Sequence, residues 1–173
     1  MPRDILKTLK TEHDAVRALF EQVNETTDRA EKKRMDLLKR IEAALLPHAK
    51  WEEQVFYPAF RERADRDGLK THAEAVQEHR AVEKVVMPDV HAAAVDTPEF
   101  AGRVKVFGEL IEHHAKEEEK TMFRMARELF TAEERAQLDE DYAAWKESGE
   151  GDAAVAAALA KTGLKGAVSA LTH

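Results

Sequence analysis

The chain has 173 residues, which is enough for one domain with a sizeable core. Its formal net charge of −7 gives no basic field for nucleic acid, and no apolar run approaches the roughly 20 residues that span a bilayer. The absence of cysteine excludes disulfides, iron–sulfur clusters and thiolate zinc sites. Because the N-terminus also lacks the apolar core of a signal peptide, we expect a cytoplasmic protein without nucleic-acid or membrane partners.

The first half of the chain predicts two long helices, over about 4–27 and about 29–61. Asp28 and Glu31 have the spacing of a capping box, which predicts the start of the second helix. Pro58 predicts its end, because a proline has no N–H to donate to the helical hydrogen-bond ladder. The first half therefore reads as a pair of helices joined by a short connection.

The second half of the chain repeats this arrangement after a predicted turn at 65–68. Helices are predicted over about 72–94, where Thr71 and Glu74 have the spacing of a capping box, and over about 98–129. Thr97 followed by Pro98 predicts the start of the fourth helix, because proline is favoured at the first helical position. Within each of the four helices, apolar residues recur at steps of three and four, the pattern of a helix that packs along one face.

The C-terminal part predicts a shorter fifth helix and a tail. Thr131 and Glu134 have capping-box spacing, and the helix that they open ends near Gly149. The segment 148–173 is rich in Ala and Gly, so we expect a flexible tail, with a weak helix around 153–161, that adds little to the core. The predicted fold class is all-α: an up-down-up-down four-helix bundle with a short C-terminal fifth helix, which together form one domain over 1–147.

Histidine and glutamate replace apolar residues at the middle of each apolar face, and they do so in an internal repeat. In each half, two histidines lie 35 residues apart and a glutamate follows the second histidine by four positions. The two sets are offset by 66 residues, as from 13 to 79. Segments 48–53 and 114–119 both begin His-Ala-Lys and end Glu-Glu. The repeated residues are His13, His48 and Glu52 in the first half and His79, His114 and Glu118 in the second.

This spacing predicts a site for two metal ions. Residues four apart lie on one face of a helix, so each His-x-x-x-Glu pair directs an imidazole and a carboxylate at the same point. Six converging ligands are too many for one tetrahedral zinc ion, and they suit two ions that share bridging carboxylates. Iron is the favoured metal, although manganese and zinc accept the same donors. Buried without such partners, each carboxylate would be costly.

These residues resemble the motif of the hemerythrin-like, or HHE cation-binding, family over about residues 1–130. The segment 48–58 is similar to the second-helix signature of that family. The resemblance implies a four-helix bundle around a non-haem di-iron centre, with an oxo or hydroxo bridge between two iron ions. Members of the family bind dioxygen reversibly, sense oxygen or iron, handle nitric oxide or peroxide, or serve iron–sulfur repair.

The sequence departs from the oxygen-carrying hemerythrins at two positions. Those proteins have a second histidine four positions after the third-helix ligand, where this chain has Glu83. They also carry His-x-x-x-x-Asp on the fourth helix, where this chain has His114-x-x-x-Glu118. One imidazole of their five-histidine set is therefore missing. The repair proteins carry an N-terminal cysteine-bearing segment, which this chain lacks.

Two further residues are candidate metal ligands. Glu83 lies one helical turn beyond His79, but its counterpart in the repeat is Arg17, so the duplication does not support a ligand there. Tyr57 lies about one and a half turns beyond Glu52, from where it would coordinate iron, donate a hydrogen bond to a bound oxygen species, or pack at the end of the bundle.

Three functions are compatible with this interpretation. The first is a di-iron protein that binds or senses dioxygen, peroxide or nitric oxide at the bridged site. The second is a peroxide-decomposing or oxidase-type di-iron enzyme, and the third is a regulatory module that responds to iron supply. Nothing in the sequence indicates a substrate pocket, which favours binding over catalysis, and no protein partner is indicated.

Overall fold

The structure, a computed structural model, describes residues 3–162, and all the regular structure in this range is helical. Helical segments that follow one another without a loop form one continuous helix, so the described range contains six helices. The bounds are α1, Ile5–Asn24; α2, Glu31–Trp51, Glu52–Phe56 and Tyr57–Arg63; α3, Arg66–Ala81, Val82–Val86 and Met87–Ala92; α4, Pro98–Glu117, Glu118–Met122 and Phe123–Leu129; α5, Ala132–Glu147; and α6, Glu150–Thr162.

The all-α prediction is confirmed, and two of the four helix starts predicted from caps agree with the structure, whereas those predicted at Asp28 and Thr71 do not. Thr97 accepts a hydrogen bond at the start of α4, and Thr131 forms a reciprocal capping box with Glu134 at the start of α5. The capping box predicted at Asp28 is wrong, because no side chain of the described residues caps α2. The Asp28 carboxylate instead lies 2.9 Å from the guanidinium of buried Arg34, which competes for the same oxygens.

The third helix starts earlier than predicted. Asp65 caps it by accepting a hydrogen bond from the Gly68 N–H at 2.9 Å, so the predicted turn at 65–68 is the cap and first turn of α3. A side chain at Gly68 would place its Cβ 2.8 Å from the Cβ of Ala64, so this position needs glycine for close packing. The early start lengthens α3 on the side that precedes His79.

A five-residue π-helical turn interrupts each of α2, α3 and α4. Two of these turns end two positions before a proline, at Phe56 and Val86, and the helix continues past both prolines. α2 therefore runs five residues beyond Pro58 and ends at Arg63, two residues past the predicted end at about 61, because the wider turn accommodates a ring that would clash with the preceding turn of a regular α-helix. Turns of this kind are frequent at functional sites. The three turns are Glu52–Phe56, Val82–Val86 and Glu118–Met122.

Buried apolar side chains form two clusters on either side of a polar belt. On each of the four long helices a histidine separates the members of one cluster from those of the other. The Phe107 cluster includes Val16, Phe20, Ile41, Val90, Phe107 and Ile111, and the Phe56 cluster includes Leu9, Phe56, Phe60, Ala75 and Phe123. In the direction of the chain, residues of the Phe107 cluster follow the histidine on α1 and α3 and precede it on α2 and α4.

The segment expected to be a flexible tail forms a packed helix over part of its length. α6 buries Val155 and Leu159 in the Phe107 cluster, so the expectation that this segment adds little to the core is wrong for 150–162. The small side chains allow close packing: a Cβ at Gly151 would lie 2.9 Å from the ring of Trp145. Residues 163–173, also part of the predicted tail, lie outside the described range. Between residues 3 and 162, no helix is long and apolar enough to cross a membrane.

An ion pair between α2 and α3, in which Glu42 is buried and the His91 side chain is 28% exposed, predicts a pH-dependent stability. His91 donates to the carboxylate of Glu42, and this hydrogen bond, opposed by burial, raises the pKa of His91. The stabilisation is therefore complete below the ordinary histidine pKa of about 6.5 and is lost as the pH rises through the raised value. Urea unfolding between about pH 6 and pH 9 should show a wild-type advantage over His91→Gln that shrinks as the pH rises. A constant difference across this range would contradict the pairing.

Candidate metal centre

The six predicted ligands converge in the polar belt between the two apolar clusters. Each is at most 9% exposed, although all six are polar. α1 and α3 contribute one histidine each, and α2 and α4 contribute one His-x-x-x-Glu pair each. The side chains brought together are those of His13, His48, Glu52, His79, His114 and Glu118.

The first group of ligand atoms includes the imidazoles of α1 and α2. We call the centre of this group the first metal position. The Nε2 atoms of His13 and His48 lie 3.1 Å apart. Glu52 Oε1 lies 3.0 Å from His48 Nε2, and Glu118 Oε2 lies 3.3 Å from His13 Nε2. All four residues offer ligand atoms within 4.8 Å of one another, which is the spread of a single coordination sphere.

The second group includes the imidazoles of α3 and α4. We call its centre the second metal position. The Nε2 atoms of His79 and His114 lie 3.0 Å apart. Glu52 Oε2 lies 3.5 Å from His79 Nε2, and Glu118 Oε2 lies 3.6 Å from His114 Nε2. Each glutamate therefore lies between the two imidazole pairs, where a bridging carboxylate would have to be.

The other ring nitrogen of every one of these histidines meets a second carboxylate from a neighbouring helix. These contacts run around the four helices as a closed ring, from α1 to α4, α4 to α3, α3 to α2 and α2 to α1. A carboxylate at Nδ1 fixes the proton there and leaves Nε2 directed at the cluster, as in carboxylate–histidine–metal sites. The Nδ1–Oε distances are 3.0 Å for His13–Glu119, 2.9 Å for His48–Glu12, 3.1 Å for His79–Glu53 and 2.7 Å for His114–Glu78.

These four outer glutamates were not predicted, although the sequence carries a signal for them. Glu12 and Glu78 directly precede the first and third histidines, and Glu53 and Glu119 directly follow the two candidate bridging glutamates. Both pairs obey the offset of 66 residues. They lie beside the apolar face of their own helix, and a contact that closes between two helices cannot be inferred from the pattern of one helix.

Three carboxylate oxygens in the belt have no hydrogen-bond donor among the described residues. Both oxygens of Glu52 and the Oε2 atom of Glu118 are buried without one, even though imidazole nitrogens lie 3.0–3.6 Å away. An unsatisfied buried carboxylate is costly, and a bound cation supplies the missing partner. Imidazole and carboxylate together suit divalent transition metals, so the residues present fit a metal site.

Without a metal, protons take part of this role. Burial would lower the pKa of His48, but the negative charge of Glu52 and the hydrogen bond to Glu12 prevail and raise it to about 10. Burial would raise the pKa of Glu118, but the positive charge of His114 and the hydrogen bond from the Tyr57 hydroxyl lower it. These directions favour imidazolium beside carboxylate at His48, and a metal ion that binds its Nε2 atom would have to displace the proton.

Of the two additional candidate ligands, the structure brings one into the site. The Tyr57 hydroxyl donates to Glu118 Oε1 at 2.7 Å and lies 3.3 Å from His79 Nε2. Burial and the Glu118 carboxylate raise the pKa of Tyr57 well above its usual range, so the phenol keeps its proton. Glu83 lies outside both groups, and its carboxylate is bound by Lys50 at 2.6 Å.

A small apolar cavity borders the ligand histidines on the side of the Phe107 cluster. Its volume is about 40 Å³, room for roughly three water-sized groups at ~10–15 Å³ each. Its apolar lining residues include Val16, Leu45, Val82, Met87 and Ile111. The cavity therefore admits a ligand of very few atoms beside the metal positions.

An all-helical fold around a buried histidine–glutamate cluster defines a metal-binding protein. The chain belongs to the family of the hemerythrin HHE cation-binding domain, whose sequence model matches residues 4–126. It is similar to the crystal structure of an HHE cation-binding domain-containing protein from Mycobacterium kansasii, with a TM-score of 0.73 and 25% identity over 97% of this chain and 98% of that one. It is also 26% identical over 144 residues to a protein named DNA nickase from Nostoc sp., a match that covers 83% of this chain but only 39% of that protein's length.

Proposed function

We propose that the chain binds two iron ions, one at each metal position, bridged by Glu52 and Glu118. The observation that carries this proposal is the pair of donor groups that share Glu52, each with two imidazoles. The four ligand-bearing helices would form an up-down-up-down four-helix bundle. The alternating order of the two apolar clusters along α1 to α4 supports that topology.

We further propose that the site binds or senses dioxygen, peroxide or nitric oxide. When bound, the iron pair would supply redox activity and an open coordination position. The chain's own residues would do the rest: four imidazoles hold the metals, and the apolar cavity limits the ligand to a few atoms. The Tyr57 hydroxyl, 3.3 Å from His79 Nε2, would be a proton donor at the second position.

A peroxide-decomposing enzyme is the second candidate. Tyr57 favours it, because a neutral phenol within hydrogen-bond distance of the site can donate a proton to a reacting oxygen. An oxidase or an iron-responsive regulatory module has no such specific support. DNA nicking is not proposed, because the Nostoc relative shares only part of its length with this chain and the net charge of −7 provides no basic surface for DNA.

Anaerobic loading with ferrous iron tests the site and the function together. Metal analysis should give close to two irons per chain, and exposure to oxygen should then produce a visible charge-transfer band. A band that disappears when oxygen is removed indicates reversible binding, whereas rapid peroxide consumption with release of oxygen indicates catalysis. A single tightly bound zinc ion with no uptake of iron would rule out the proposed site.

A further inference from the structure

The two metal positions are related by the internal repeat, but the groups that hold their outer glutamates are not. Glu12, behind His48, accepts hydrogen bonds from the Tyr142 hydroxyl and from Lys146 Nζ, each at 2.8 Å. Both donors lie on α5, after the second copy of the repeat. The counterpart of Glu12 in the repeat is Glu78, which makes no equivalent contact with α5 in the described part of the chain.

Permanent cations hold both outer glutamates of the first position. Lys146 binds Glu12, and Arg17 lies 2.8 Å from Glu119, the carboxylate behind His13. Such pairs fix the carboxylate, and the fixed carboxylate in turn fixes the orientation of the ligand imidazole. The first position is therefore preorganised on both of its histidines.

The second position is held less firmly. Lys50 lies 2.7 Å from Glu53, behind His79, but within residues 3–162 no lysine or arginine pairs with Glu78, behind His114. The outward partner of Glu78 is His113, at 3.3 Å, whose side chain is 60% exposed and carries no permanent charge. The second donor group also contains three residues, against four in the first.

α5 reaches the ligands of α2 by two routes. Tyr142 and His48 both donate to Glu12 Oε2, at 2.8 and 2.9 Å, so the tyrosine hydroxyl acts on the ligand through one shared oxygen. The ring of Tyr142 also stacks on Trp51, 5.2 Å between centroids, and Trp51 directly precedes Glu52 in the chain. Tyr142 is fully buried, so this contact is part of the packed core.

We propose that α5 clamps the first metal position, with Tyr142 and Lys146 as positioning residues that act through Glu12 on His48. The first position then retains its ion, while the second position releases and rebinds its ion more readily. This inference rests on the proposed two-ion site and adds a division of roles within it. The labile ion is the one beside Tyr57 and His79.

Calorimetric titration of the metal-free full-length chain with ferrous iron under anaerobic conditions tests the clamp. The wild type should bind in two steps of different affinity. Tyr142→Phe keeps the stacked ring and removes one hydrogen bond, and Lys146→Met removes a charge from a side chain that is 39% exposed. Each should weaken the tighter step by roughly tenfold and leave the weaker step unchanged, the usual size of an effect on a group that orients a ligand.

His113→Gln is the matched control, because it removes the outward partner of Glu78 instead of that of Glu12. It should leave the tighter step unchanged. Far-ultraviolet circular dichroism verifies folding, and Lys146→Met keeps the test decisive if Tyr142→Phe fails to fold. If the α5 variants weaken both steps equally, or leave the tighter step as it was, the clamp is refuted. A wild type that takes up one ion or none refutes the two-ion site itself.

Discussion

Glu52→Gln and Glu118→Gln should each lower the affinity for iron by at least about tenfold, and each should lose more iron than His13→Gln or His79→Gln. The reason is geometric: each glutamate lies between the two imidazole pairs, whereas each histidine faces one metal position. Glutamine keeps the shape of the side chain but removes the anionic bridge. Iron per chain and the visible absorption of the loaded protein measure the effect.

Glu83→Gln is the control for this series. Glu83 is bound by Lys50 and lies outside both donor groups, so its replacement should leave the iron content close to that of the wild type. If Glu83→Gln strips the metal while Glu118→Gln retains it, the ligand set based on the repeat is wrong.

Loading with iron should raise the thermal unfolding temperature by about 5–10 °C per tightly bound ion. A ligand at roughly 100 times its Kd contributes about 2.7 kcal/mol, and each kcal/mol is worth about 2–4 °C in a chain of this size. The physical source is the relief of buried carboxylate oxygens on Glu52 and Glu118 that have no donor among the described residues of the metal-free chain. Scanning calorimetry of metal-free and loaded protein provides the measurement.

The double variant Glu52→Gln/Glu118→Gln separates this effect from nonspecific stabilisation by iron. It lacks both bridging charges, so added iron should shift its unfolding temperature little. Equal unfolding temperatures for the metal-free and loaded wild type would mean that the metal does not bind the buried ligands.

The convergence of the six candidate ligands was predictable because it depends on two simple regularities. The spacing of His48 and Glu52 places both on one helix face, and the repeat transfers the same relation to His114 and Glu118. The helix starts at Thr97 and Thr131 were predictable for a similar reason, since a cap involves residues close together in sequence.

The position of Tyr57 could not be predicted from α-helical periodicity. Five residues of α-helix place it about 140° away from Glu52, which suggests a packing role at the end of the bundle. The π-helical turn Glu52–Phe56 uses more residues per turn and returns Tyr57 to the face of the ligands, where its hydroxyl reaches Glu118. The same turn explains why Pro58 does not end α2. Wide turns leave no clear mark in the pattern of apolar residues.

The partners of the outer glutamates and the packing of α6 could not be predicted, because these contacts are tertiary. Glu12 binds a histidine on another helix and two donors on α5, and none of these partners is near it in the sequence. α6 has few bulky side chains, yet Val155 and Leu159 find a place in the Phe107 cluster. In both cases the side chain's contacts are made with a neighbouring helix and not within its own.

The polar belt has a consequence for the cooperativity of unfolding. It divides the apolar interior into the Phe107 cluster and the Phe56 cluster, so the two halves of the molecule share a layer of ionisable groups instead of a continuous hydrophobic core. A pair of ions coordinated by all four helices would couple the halves into one two-state unit. We expect the metal-free chain to lack this coupling, so that one half can open before the other. Metal binding should therefore make unfolding more cooperative.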